Sequence, residues 1–152
     1  MATYLLNWNP LKWPWRDLAE MARETRSGRT VDEPWSTGRS KRIVPGDRVF
    51  LIRQHVEPRG IIASGRATSG WYEEGHWSAD KPKQIAIYVD VEWDVILDPE
   101  IYPLLSRERL QSGALGKFHW DVESGGVSIP DDIARKLERE WEAHTARLLA
   151  AK

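Results

Sequence analysis

The stretch QIAIYVDVEWDVI, residues 84–96, has the clearest strand pattern in the chain. Apolar residues occupy every second position, and mostly polar residues stand between them. Because successive side chains of a strand point to opposite faces, this spacing predicts one buried face and one more exposed face. The residues predicted to share the buried face are Ile85, Ile87, Val89, Val91 and Trp93.

Two shorter segments upstream consist almost entirely of apolar residues. They are RVFLIR at 48–53 and GIIASGRA at 60–67, with a turn at 57–59 between them. Apolar runs of this length, bounded by turn residues, are typical of strands that are buried on both faces. We therefore predict a central strand pair here, with short outer strands at 4–7 and 127–129.

Helical periodicity flanks these strands. Residues 15–26, residues 103–111 and the segment from Asp131 onward are predicted to be helical, and 29–46 to be mostly loop. Short strands separated by glycine turns, with helices at both ends, indicate an α+β fold. We expect one domain over residues 1–152, built on a small, partly closed, mixed β-barrel with flanking helices.

The composition excludes several kinds of chemistry. The chain has no cysteine, which rules out disulfides, a thiolate nucleophile and a Cys-ligated zinc. Its four histidines lack the spacing of a metal-binding pair, and the common nucleotide-binding and serine-hydrolase motifs are absent. We therefore expect no cofactor, no metal and no enzymatic activity. The absence of a signal peptide or a membrane-length apolar stretch predicts a cytoplasmic protein without a membrane partner.

The chain has nine tryptophans, and most stand in segments rich in Gly, Pro, Ser or Asn. Large flat rings on loops are suited to stacking on a planar ligand, most commonly a nucleic-acid base. Tryptophans also plug the ends of small barrels, and we expect roughly half of them to do only that. The tryptophans that stand in such segments are Trp8, Trp13, Trp15, Trp35, Trp71 and Trp77.

The net charge of −1 hides an uneven distribution. Residues 1–70 carry 12 Lys and Arg against 7 Asp and Glu, whereas residues 71–152 carry 10 against 16. The basic half also contains most of the predicted loop tryptophans. Three cations closely follow Trp35, and they are predicted to bind phosphates while rings bind bases. They are Arg39, Lys41 and Arg42.

Several motifs occur in an order that resembles one known family. They are LNWN at 6–9, WST at 35–37, PGDRVF at 45–50, GIIASG at 60–65, a Trp-rich segment at 71–77, YVDV at 88–91, FHW at 118–120 and SGGV at 124–127. This order, from Tyr4 to about Trp141, resembles the EVE domain, a member of the PUA-like superfamily related to YTH readers. The last two motifs are similar to those of EVE-like domains attached to HNH-type restriction endonucleases.

The resemblance implies a PUA-like barrel that takes a flipped, modified base into an aromatic cage. The corresponding residues are Trp35 and Ser36 for one wall, Asn7 or Asn9 for the base edge, and Trp71 or Trp77 for the opposite wall. Further residues expected at the base are Trp8, Thr37, Ser64 and Trp120. We expect Trp35→Ala to abolish recognition of the base and to leave the fold nearly intact.

Together these features predict a protein that flips and binds a modified cytosine, such as 5-methylcytosine, or a modified adenine in DNA. It would act in a restriction or defence system, and by analogy with the family a nuclease domain or partner would cut the DNA. One alternative is RNA binding by the same fold. A second alternative is an ASCH-like hydrolase of modified nucleosides, which would need a Lys or Thr nucleophile beside a carboxylate.

Overall fold

A computed structural model of the protein describes residues 2–76 and 84–150. Within these ranges the chain forms eight strands, three α-helices and a 3-10 turn at Gly113–Lys117. The strands are β1 (Thr3–Trp8), β2 (Val31–Ser36), β3 (Arg48–Arg53), β4 (Gly60–Ala67), β5 (Tyr72–His76), β6 (Gln84–Ile96), β7 (Leu105–Ser106) and β8 (Val127–Ile129). The helices are α1 (Leu18–Arg26), α2 (Arg107–Leu110) and α3 (Asp131–Ala150).

All of these strands belong to one mixed sheet. Its order is β2-β6-β4-β3-β1-β8, with β5 paired to β6 and β7 paired to β4. β1 runs parallel to β3, and the other pairs are antiparallel. A parallel neighbour requires a long crossover connection, and this one contains α1 and β2. The predicted α+β fold class is confirmed.

The sheet curls strongly, because two strands that are not neighbours in it meet. β1 and β2 stand four places apart in the sheet order, yet Trp35 Nε1 in β2 donates to the carbonyl oxygen of Asn7 in β1 at 3.2 Å. Gly65 allows β6 to approach β4, because a Cβ there would lie 2.5 Å from the carbonyl oxygen of Glu92. No backbone ladder joins β1 to β2 among the described residues. The barrel is therefore curled but not closed.

Helices α1 and α3 cover the sheet. α3 packs on β3 through Trp141, whose ring meets Phe50 edge-on at a centroid distance of 6.3 Å. α1 packs on β6, where Thr25 Oγ1 accepts a hydrogen bond from the backbone nitrogen of Ile96 at 3.1 Å. The predicted buried face of β6 is confirmed at Ile87, Val89, Val91 and Trp93. The side chain of Ile85 lies outside the described ones.

Two strands lie where the sequence predicts loops. β2 falls within residues 29–46 and forms an edge of the sheet, which is where a strand tolerates Pro34. β5 contains the exposed residues Glu73 and Glu74 and pairs with the first part of β6. Neither segment alternates clearly or forms an apolar run, so pairing with the long β6 determines both.

Two helices are shorter than the periodicity predicts. α1 begins at Leu18 rather than Trp15, because the buried side chain of Trp15 packs into the core ahead of the helix. The segment 103–111 contains β7 followed by a single helical turn, α2. No helix in the described ranges combines the length and the hydropathy needed to cross a membrane.

Candidate nucleic-acid interface

Five tryptophans pack together in a group that we call the indole cluster. Its members are Trp8, Trp13, Trp15, Trp35 and Trp93. Trp15 contacts all four other rings, and Trp35 contacts three of them at centroid distances between 4.9 and 5.7 Å. All members are buried except Trp13, which is 43% exposed. The four buried members belong to the hydrophobic core, and their edge-to-face contacts add to the stabilisation that burial gives.

The loop position predicted for Trp35 is wrong. Trp35 lies in β2, and its side chain is only 5% exposed. Its indole N–H is already bonded to the carbonyl oxygen of Asn7. Removing this ring would leave a cavity in the core, so Trp35→Ala is now expected to reduce stability. Whether the ring also borders a ligand stays a prediction.

The carboxyl ends of β1 and β2 meet at a glycine. Gly125 lies in the loop before β8, and a Cβ there would stand 3.2 Å from both Asn7 Oδ1 and the carbonyl oxygen of Ser36. A side chain at this position would therefore crowd both oxygen atoms, and glycine avoids this. We call the meeting point of Asn7, Ser36 and Gly125 the Asn7–Ser36 junction. It brings together two residues that the sequence assigns to the base.

Hydrogen bonds orient the side-chain amide of Asn7. Its Nδ2 donates to Gln54 Oε1 at 3.1 Å, and Gln54 Nε2 donates to the carbonyl oxygen of Val122 at 2.9 Å. Asn7 therefore turns Oδ1 toward Gly125 and presents an acceptor at the junction. Gln54 is a positioning residue that the sequence did not reveal. Its signal is a polar residue directly after the apolar strand 48–53.

A tight turn after β2 supports the junction. Thr37 is fully buried, and its Oγ1 donates to the carbonyl oxygen of Ser40 at 2.8 Å. The backbone nitrogen of Gly38 donates to Ser36 Oγ at 3.2 Å, which leaves the Ser36 hydroxyl able to donate. A Cβ on Gly126 would lie 2.4 Å from Ser40 Cβ. The turn therefore packs directly on the glycine loop of the junction.

An exposed indole follows close to the same turn. Trp71 stands directly before β5 and is 43% exposed. Lys41, just after the turn, places Nζ 4.4 Å from the ring centroid of Trp71 and 3.9 Å from Glu73 Oε1. One ring and one cation from the predicted interface therefore lie together. Trp77, the other candidate for this wall, lies outside the described residues.

The two remaining predicted phosphate ligands lie on the surface. Arg39 and Arg42 are both exposed, and the guanidinium of Arg42 lies 5.9 Å over the ring of Tyr4. Their position next to the turn after β2 agrees with contact to a nucleic-acid backbone beside the junction. Phosphate binding stays a prediction.

Besides Trp8, Trp35 and Thr37, two more residues that the resemblance assigns to the base are buried. Ser64 is fully buried, donates to Asp94 Oδ1 at 2.5 Å and accepts from Trp141 Nε1 at 2.9 Å. Trp120 is 2% exposed, and its Nε1 donates to the carbonyl oxygen of Leu115 at 2.9 Å. Neither set of contacts includes the junction. The Ser64 hydroxyl and the Trp120 indole N–H are instead hydrogen-bonded to other residues of the protein.

A cleft of about 430 Å³ opens beside Gln54, at the ends of β1 and β3. Its lining includes Asn9, Lys12, Arg53 and the Arg107–Asp121 ion pair. The guanidinium of Arg53 lies 5.3 Å over the buried ring of Trp8. Within the described part of the chain, Arg53 Nε is buried without a hydrogen-bond partner, and burial lowers the pKa of this side chain. The cleft therefore adds a cation with unused donor capacity next to the junction.

A larger groove of about 1130 Å³ lies between the 3-10 turn and α3. Its lining includes the Arg109–Glu140 ion pair, Lys136, Arg139 and Arg147. No residue that the sequence assigns to a ligand lines this groove. Size alone therefore does not mark the site.

A partly buried carboxyl lies next to the indole cluster. Glu33 stands two residues before Trp35 on β2, so both side chains point to the same face. Burial raises the pKa of Glu33 to about 7, the nearby indole of Trp15 lowers it, and the charge of Asp17 raises it. Among the described residues, no group of three or more His, Asp and Glu is arranged to hold a metal ion.

Comparison with known proteins identifies the fold. Neither a protein-family model nor a curated protein matches the sequence. A hypothetical protein from Leishmania major has a TM-score of 0.66 at 17% identity, over 95% of this chain and 97% of that one. A Pseudomonas syringae protein has a TM-score of 0.61 at 15% identity, over 91% and 99%. Human THYN1, solved in complex with 5-methylcytosine-containing DNA, has a TM-score of 0.59 at 14% identity, over 92% and 98%.

At these identities the likeness establishes the fold alone. The chain has the PUA-like fold that the order of its motifs predicts. The geometry of the junction and of the cleft comes from contacts among this chain's own residues.

Proposed function

We propose that this protein binds nucleic acid carrying a modified base and holds the flipped base against the Asn7–Ser36 junction. The observation that carries the proposal is the convergence of Asn7 Oδ1, the carbonyl oxygen of Ser36 and the Gly125 backbone at one point, with the Ser36 hydroxyl on the adjoining turn. A base edge is recognised by donors and acceptors at fixed positions. The ends of two strands hold such groups more rigidly than free loops do.

Trp71 supplies the stacking surface in this proposal. Stacking of a base on an aromatic side chain contributes roughly 1–3 kcal/mol. The cation of Lys41 already occupies one face of this ring, and a base would replace it or stack on the other face. Trp35 contributes indirectly, because its N–H donates to the carbonyl oxygen of Asn7 and so holds the Asn7 backbone in place. In this proposal the exposed ring of Trp71 stacks on the base, and the indole cluster supports the backbone of Asn7.

We propose DNA with a modified cytosine as the ligand, with modified adenine and RNA as the alternatives. The complex of human THYN1 with 5-methylcytosine-containing DNA supports this choice for the shared fold. Burial of one methyl group contributes only about 0.8 kcal/mol, so polar contacts and the shape of the site must add to discrimination. A role in a restriction or defence system, with a nuclease domain or partner, rests on the sequence resemblance alone.

We also propose that binding proceeds without chemical turnover. The hydrolase alternative needs a Lys or Thr nucleophile beside a carboxylate, and Lys41 with Glu73 is such a pair. Both side chains are 51% exposed, and an exposed ion pair is weakly held in any one geometry. Incubation with modified nucleosides should release no product. Turnover that Lys41→Met abolishes would establish the hydrolase instead.

A binding panel tests the proposed function. It contains DNA and RNA strands that differ only in one base: cytosine, 5-methylcytosine, adenine or N6-methyladenine. We expect the wild type to prefer one modified strand, Asn7→Ala to lose that preference, and the matched variant Asn9→Ala to keep it. Thermal melting confirms that both variants fold. Equal wild-type affinity across the panel at fixed salt would end the proposal.

A further inference from the structure

We infer that the loop at residues 9–13 is a wedge, and that Leu11 at its tip enters the base stack of duplex DNA beside the flipped base. The inference rests on the proposed function and narrows it. It names duplex DNA as the form to whose binding this loop contributes.

Leu11 is the first observation. Its side chain is 76% exposed, against 59% for Ile101, the next most exposed large apolar side chain of the described residues. Scattered exposed apolar residues are ordinary on protein surfaces. Exposure alone therefore does not assign a role to Leu11. The role follows from the hydrogen bonds that hold its loop and from the charged residues beside it.

The support of Leu11 is rigid. Asn9 Oδ1 accepts from the backbone nitrogen of Leu11 at 3.0 Å. The carbonyl oxygen of Asn9 accepts from the backbone nitrogens of Lys12 and Trp13 at 3.0 and 3.1 Å. The loop is then tied to the core, because the buried Trp8 donates from Nε1 to the carbonyl oxygen of Trp13 at 2.8 Å. A loop already held in one conformation loses little entropy when it inserts into a partner.

The position of the loop fits insertion next to the proposed site. Leu11 follows Asn7 by four residues, so the two lie within about 14 Å of each other even along a fully extended chain. Successive base pairs of a duplex rise by about 3.4 Å. The tip of the loop is therefore within a few base steps of a base held at the junction.

A cleft in which cations outnumber carboxylates begins next to Leu11, at Lys12. Lys12 follows Leu11 directly and lines the 430 Å³ cleft together with Arg53, whose buried Nε lacks a hydrogen-bond partner among the described residues. An apolar tip flanked by cations matches the chemistry of a duplex, in which stacked bases lie between two rows of phosphates. In this assignment Leu11 replaces the stacking that flipping removes, while Lys12 and Arg53 bind the phosphates beside it.

The test compares Leu11→Ala with Ile101→Ala, a matched truncation of an exposed side chain in another loop. The probes are one 5-methylcytosine strand, free and annealed to its complement, and the same duplex with 2-aminopurine next to the methylated base. We expect Leu11→Ala to weaken duplex binding about tenfold, the size expected for one lost leucine contact, and to leave single-strand binding unchanged. It should also reduce the rise in 2-aminopurine fluorescence that wild type produces, whereas Ile101→Ala should change none of these values.

Each outcome separates the wedge from the proposed function. Unchanged duplex binding by Leu11→Ala, with wild-type preference for methylcytosine intact, overturns the wedge alone. An equal loss on the free strand and the duplex also overturns it, because Leu11 would then contact the strand rather than fill the stack. If the wild type prefers none of the modified bases of the binding panel, the proposed function is overturned and the wedge with it. Melting curves should be unchanged, since Leu11 is largely exposed.

Discussion

The indole cluster and the Asn7–Ser36 junction share a hydrogen bond, yet their chemistry is opposite. In the cluster, rings face rings, and all members but Trp13 are buried. At the junction, Asn7 and Ser36 stay partly exposed, with hydrogen-bonding capacity unused. Trp35 belongs to both, because its ring packs in the cluster and its N–H holds Asn7. The many tryptophans of this chain therefore mainly build the core, and the core positions polar residues for a ligand.

The largest expected effect separates the two regions by stability. Trp35→Ala should lower the free energy of unfolding by about 3–5 kcal/mol, because it opens a cavity in the cluster. The matched variant Trp71→Ala should change it by less than about 0.5 kcal/mol, since Trp71 is exposed, and should weaken binding of the modified base. Urea unfolding measures both. A stable Trp35→Ala that cannot discriminate the modified base would restore the view of Trp35 as a simple cage wall.

A smaller effect is expected where the junction meets the core. Gln54→Leu leaves the Asn7 amide and the carbonyl oxygen of Val122 without partners, which should cost about 1–3 kcal/mol of stability. It should also reduce the preference for the modified base, because the Asn7 side chain is no longer oriented. Gln111→Leu, at an exposed position, is the control. Unchanged discrimination by folded Gln54→Leu would show that the orientation of Asn7 does not matter.

The cations beside the junction should act on affinity and not on discrimination. Arg39→Ala and Arg42→Ala should each weaken the binding of modified and unmodified strands to the same extent. Each should also lower the slope of log affinity against log salt by about one unit. Arg135→Ala, an exposed change on α3, should leave the slope unchanged. Titrations at several salt concentrations measure this. A loss confined to the modified strand would place Arg39 or Arg42 at the base instead.

The smallest expected effect is the pH dependence that Glu33 contributes. Folding raises the pKa of Glu33 from 4.5 to about 7, so the folded state favours the protonated form. Its contribution to stability is therefore fully present below pH 4.5 and is lost as the pH rises through about 7. Glu33→Gln should raise the melting temperature at pH 8 and change it little at pH 4. The exposed control Glu142→Gln should show no such difference, and an equal shift at both pH values would contradict this account.

Much of the fold was predictable because β3, β4 and β6 have strong apolar patterns of their own. β2 and β5 were not predictable. Pro34 in β2, and Glu73 and Glu74 in β5, are not typical of strands, and both segments become strands by pairing with β6. Asn7 and Ser36 could be selected from the motif order. Gln54 and Gly125 could not, because their roles depend on contacts between residues far apart in sequence.

Chemical-shift mapping with a 5-methylcytosine duplex tests the central claim most directly. The account predicts that the largest shifts fall on the side-chain amides of Asn7 and Gln54, the indole N–H of Trp71 and the backbone of Gly125. The backbone of Lys136 and Arg139, in the larger groove at α3, should stay unperturbed. Shifts concentrated in that groove, with an unchanged Asn7 amide, would contradict the account and move the nucleic-acid site to the helical side of the protein.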